Sequence, residues 1–226
     1  MAVGGVFSRF ITRHSPAARA RGTVLKHFSQ TIGLVYFGTV DRKTDEYDDI
    51  RGITVSTTHK DEHYAVGSYD GYDISVVDRY DVVTDRNRVK TEQNWVILQL
   101  SLESNEPLPH LFMHPLGQQT QAYDKFFDST HQLQVVNSIF RGGHSQEFHN
   151  RYELYSTSTH ALSIEELFTP IVTQTIAARL WPHAIEILNN KLYVYTIESK
   201  LTETLLEAAI SSALWLARVL DKSEEN

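Results

Sequence analysis

Apolar and polar side chains alternate along residues 63–83, and the alternation turns back on itself at Asp70-Gly71. An Asp-Gly pair suits a two-residue type I′ turn, whose central residues both take φ > 0. Folded about that turn, Tyr69 faces Tyr72, Gly67 faces Ile74 and Ala65 faces Val76. These six share one apolar face, while Asp73, Ser75, Arg79 and Asp81 fall on the other. Asp78 interrupts the apolar series Tyr72, Ile74, Val76, Tyr80, Val82. A buried carboxylate needs a partner or a raised pKa. Asp78 is therefore a candidate buried acid, with a strand end, a bulge or an ion pair to an arginine as the structural alternatives.

The same reading predicts strands over 31–41 and 51–58, with HKDEH (59–63) linking the second to the hairpin. In 93–103, Val96, Leu98, Leu100 and Leu102 form a purely apolar series expected to face the core. EPLPHLFMHP carries prolines around a short strand, which places it at an edge. Residues 117–130 read as loop or a helical turn, with short strands at 132–137 and 151–157.

Helix signals come late. Ser163 and Glu166 have capping-box spacing, and Thr169 caps a fresh start at Pro170 that runs to about Leu180. Asn189-Asn190 marks a second hairpin, pairing Ile185 with Val194 and Ile187 with Leu192. A final helix from about Thr202 to Leu220 carries the stripe Leu205, Leu206, Ala209, Ala213, Leu216, Leu220.

Many strands followed by helix, hairpin and helix describe an α+β chain. The expected architecture is an antiparallel sheet or partly closed barrel packed against two late helices. Residues 1–22 read as a flexible basic segment, 23–221 as one domain and 222–226 as a solvated tail.

Composition narrows the chemistry. The chain has 226 residues, 41% of them hydrophobic, which suffices for a substantial core. It contains no cysteine, so disulfides, thiolate metal sites and thiol catalysis are excluded. Their absence fits a reducing compartment. The net charge is −7, yet the residues before Asp41 include five basic side chains and no acidic one. The acidic remainder disfavours nucleic acid as a partner. Val3, Val6, Phe7, Phe10 and Ile11 lie at helical spacing among arginines, so residues 1–22 are a candidate for peripheral membrane contact.

Among the 11 histidines, two clusters invite a test. His59, Asp61 and His63 would share one face of a strand, which suits metal ligation. His144, Glu147 and His149 lack the H-E-x-x-H order of a zincin. No serine-nucleophile elbow, dinucleotide fingerprint or phosphate loop occurs. The leading expectation is a non-enzymatic binding or interaction module in the cytoplasm, with a protein or small-molecule partner and no assigned cofactor or catalytic residue. The alternatives are a metal-dependent hydrolase using His59, Asp61 and His63, and a membrane-surface protein using its basic start.

RGITVSTTHKDEHYAVGSYDGYDISVVDRYDVV, NWVILQLSL, PHLFMHP, FHNRYELYS and LTETLLEAAISSALWLARVLD together resemble a family of uncharacterised bacterial proteins. The spacing of GSYDGYD and FHNRYELY is similar, more loosely, to a domain of bacterial membrane-associated proteins in which transmembrane helices often come first. This sequence departs from that pattern at its start. The resemblance implies a cytoplasmic domain working at the inner face of a membrane, and it brings no catalytic residues.

Overall fold

The computed structural model describes residues 16–39, 50–56, 58–84, 90–104, 106–117, 123, 133–137, 140, 142–197 and 200–222. Helix α1 (Pro16–Thr31) leads into strands β1 (Val35–Thr39), β2 (Lys60–Tyr69) and β3 (Tyr72–Thr84). Strands β4 (Lys90–Ser101), β5 (Leu111–Pro115) and β6 (Gln134–Val135) follow. Short helix α2 (Gln146–Arg151) runs straight into β7 (Tyr152–Ser156). Helices α3 (Ala161–Leu167) and α4 (Pro170–Leu180) precede the hairpin β8 (Ala184–Leu188) and β9 (Lys191–Thr196). Helix α5 (Glu203–Lys222) comes last.

Among the described residues, nine strands form one open sheet in the order β1-β2-β3-β4-β9-β8-β5-β7-β6. Every adjacent pair is antiparallel. The fold is α+β, with β1 and β6 at the two edges. Both hairpins take the register their turns dictate. Ala65, Gly67 and Tyr69 lie opposite Val76, Ile74 and Tyr72. Ile185 and Ile187 lie opposite Val194 and Leu192. Asp70, Gly71, Asn189 and Asn190 all have positive φ, as type I′ turns require.

One face of the sheet is covered by helices. Ile74, Val76, Val96, Leu98, Leu100, Leu192 and Val194 meet Leu25 and Phe28 of α1, Ile176 and Leu180 of α4, and the buried stripe of α5. Thr169 accepts a hydrogen bond from the Val172 amide and caps α4, with Pro170 at its first position. The other face buries a second, aromatic cluster of Trp95, Ile97, Phe112, Tyr123, Tyr193 and Tyr195.

Several expectations need correction. Residues 16–22 belong to α1, inside the stretch read as flexible, because Leu25 and Phe28 pin this helix to the sheet. Residues 51–56 are irregular, and HKDEH contributes the start of β2. β5 lies inside the sheet between β8 and β7, and all five of its residues are buried. Its proline is tolerated because it is the last residue of the strand. Ser163 sits within α3, whose cap position is His160. From Trp95 to Leu100, β4 is buried on both faces, since Trp95 and Ile97 enter the aromatic cluster. Most of the 117–130 stretch lies outside the described residues.

Candidate functional site

The aromatic face is roofed by irregular chain, residues 50–56 and 58–59, which we call the strap. Ile50 and Ile53 press into the aromatic cluster. Hydrogen bonds run from the strap to side chains of the sheet. Arg79 on β3 donates from Nη2 to the Ile50 carbonyl at 2.7 Å and from Nη1 to Arg51 and Thr54 oxygens at 3.0 Å. Its other donors reach Asp61, Nε to Oδ1 at 2.8 Å and Nη2 to Oδ2 at 2.9 Å. Asp81 accepts from the hydroxyls of Ser56 and Thr58, both at 2.6 Å.

Glu186 on β8 completes the set. Its carboxylate is fully buried and accepts from the Ile53 amide at 2.7 Å, the Tyr195 hydroxyl at 2.5 Å and His110 Nε2 at 2.8 Å. Burial, and then the Glu186 charge, hold the Tyr195 phenol well above its ordinary range. Gly52 passes over this pair with φ +54, and a Cβ there would collide with the Tyr195 hydroxyl. A glycine is therefore required for the strap to reach Glu186. Arg79, Asp81 and Glu186 thus act as fasteners of chain. Glu186 alternates with Ile185 and Ile187 as a water-facing residue would, so nothing in the sequence marked it, whereas Asp78 stood within an apolar series.

The candidate metal ligands His59, Asp61 and His63 do not come together. His59 Nε2 lies 3.5 Å from Asp61 Oδ2 on the strap side. His63 is turned to the helical side. Asp61 pairs with Arg79, Glu62 with Asp78 and Ala65 with Val76, so β2 contains one residue more than β3 between those points. That bulge, with His63 at φ +58, reverses the alternation. His63 Nδ1 lies 2.6 Å from the Tyr36 hydroxyl instead. Among the described residues, no group of three His, Asp or Glu side chains is arranged to hold a metal ion.

Asp78 faces α1, where Arg21 Nε donates to both carboxylate oxygens at 3.0 and 2.8 Å. Asp70 pairs with Arg218 of α5. The Ser68 hydroxyl donates to Asp73 at 2.5 Å. His144 and His149 have ring centroids 6.5 Å apart, while Glu147 turns to Arg151. On β9, Thr196 places its hydroxyl 3.3 Å from Nδ1 of His183, whose pKa burial lowers to about 4.

The remaining feature is the β1 edge. Tyr36 points to the helical side, and Val35 and Phe37 point the other way, 59% and 58% exposed. Phe37 stacks on Tyr64 at 5.8 Å. No charged residue lies in Val35–Thr39, and its outer backbone has no neighbouring strand among the described residues. Sequence reading found this strand but not its position at the edge, because order in a sheet is set by tertiary pairing.

Comparison with protein-family models and with curated proteins returns no match. Among solved structures the fold is similar to the crystal structure of the mycobacterial trehalose monomycolate transport factor A, TtfA. The TM-score is 0.59 at 10% sequence identity, over 89% of this chain and 95% of that one. At that identity the likeness concerns the fold alone. Among the described residues no helix is long and apolar enough to cross a membrane. Residues 1–15 lie outside the described residues, and within 16–22 Arg21 is engaged by Asp78.

Proposed function

We propose that this chain is a non-enzymatic interaction module that receives an extended partner segment along β1. The observation that carries the reading is the uncharged edge strand with Val35 and Phe37 exposed side by side. Sheet edges are usually blunted by charge, proline or cover, because their free backbone groups template further pairing. A partner strand would gain main-chain hydrogen bonds at this edge and side-chain contacts with the two apolar residues. A reducing compartment, the cytoplasm, suits a chain without cysteine.

The test is affinity capture from extract of the source cells with three baits: the native chain, Phe37→Glu and Leu162→Glu. Leu162 is 74% exposed on α3 and serves as the control. A partner retained by the native and Leu162→Glu baits and lost with Phe37→Glu supports the reading. Capture that is insensitive to Phe37→Glu, or equally sensitive to both changes, overturns it.

A further inference from the structure

We propose that the strap is a detachable cover that lifts from the aromatic face as a unit while the helical face stays packed. The inference goes beyond the β1 reading and is independent of it. It rests on how differently the two faces are covered. On the helical side, all five helices α1–α5 contribute apolar side chains. On the other side, Tyr123 and Leu133 also cover part of the aromatic cluster, and the strap itself adds two isoleucines and bonds to Arg79, Asp81 and Glu186. Buried ionic contacts of this kind add little net stability over apolar packing, but they fix one geometry. Segments held by few apolar contacts open at lower free energy than the whole fold. Lifting breaks the bonds to Arg79, Asp81 and Glu186 and leaves the strand pairings of the sheet intact. It bares the part of the cluster beneath Ile50 and Ile53, including Val77, a surface suited to apolar and aromatic contacts.

Val76 and Val77 offer a direct test. They are neighbours on β3, both fully buried, with Val76 in the helical core and Val77 in the cluster that holds Ile50 and Ile53. The chain has no cysteine of its own, so a single introduced thiol reports cleanly. Val76→Cys and Val77→Cys are labelled with a thiol reagent under native conditions, each with and without Asp81→Asn. Val77→Cys is expected to react about tenfold or more faster than Val76→Cys, as sub-global opening predicts. Asp81→Asn is expected to widen that gap further by accelerating only Val77→Cys. Equal rates at the two positions mean that the strap opens only with global unfolding, and overturn the proposal. A gap that Asp81→Asn leaves unchanged overturns it as well. Loss of stability in any variant accelerates both thiols together and is thereby recognised.

Discussion

Arg79 lies fully buried against Asp61, and the two side chains meet in a two-pronged contact of 2.8 and 2.9 Å. Removing one partner of such a pair leaves an uncompensated charge. Arg79→Met is expected to lower the unfolding free energy by about 3–5 kcal/mol. Urea unfolding followed by tryptophan fluorescence measures it. A loss near 1 kcal/mol or less, the range of surface pairs, would show the pair to be solvated.

His183 gives the fold an acid-sensitive side. Its pKa falls from the ordinary 6.5 to about 4 because burial disfavours the imidazolium. Between those values the unfolded chain binds a proton that the folded chain refuses. Stability therefore declines as pH drops through this window, by about 3 kcal/mol in full, and this residue contributes no slope above it. His183→Gln should remove that share of the slope. An unchanged pH profile in this variant would refute the assignment.

Gly22 lets α1 close on the β2 bulge. A Cβ there would sit 2.5 Å from His63 Cε1. Alanine normally gains about 1 kcal/mol over glycine inside a helix. Gly22→Ala is nonetheless expected to destabilise the native chain, roughly 1–3 kcal/mol for an overpacked contact. In a His63→Gly background the same change should be neutral or stabilising. Additive effects in this double-mutant cycle would show that the contact is absent.

Asn189 and Asn190 share a turn but differ in duty. Both have positive φ, so glycine suits either backbone position. The Asn190 side chain also accepts from the Leu108 amide at 2.9 Å and donates to Ser104 and Glu106 carbonyls. Asn190→Gly should cost about 1–3 kcal/mol through these lost bonds, and Asn189→Gly a few tenths at most. Thermal melts of the two variants make the comparison, and equal losses would contradict it.

The hairpins were legible because turn chemistry and period-two alternation are local. Asp70-Gly71 and Asn189-Asn190 fixed their registers without help from the rest of the chain. The strap was not legible. RGITVSTT has the composition of a strand, but its Gly52 takes φ +54 and its polar groups are claimed by Arg79, Asp81 and Glu186. Those claims come from residues 23 to 133 positions away. The His59, Asp61 and His63 set failed for a related reason. One extra residue in β2 changes which side His63 faces, and only pairing with β3 reveals it. β5 was misplaced because a proline at the end of a strand looks the same in sequence whether the strand is central or peripheral.

Three aspartates of the first hairpin address three different parts of the molecule. Asp70 reaches α5 through Arg218, Asp78 reaches α1 through Arg21, and Asp81 reaches the strap through Ser56 and Thr58. β3 therefore works like an index along which the other pieces are aligned. Inserting one residue between Asp70 and Asp78 would exchange the two sides of everything beyond it, sending Asp78 toward the rings and Val77 toward the helices. Insertions and deletions among relatives of this chain should accordingly gather in the other connections and spare the stretch from Asp70 through the end of β3.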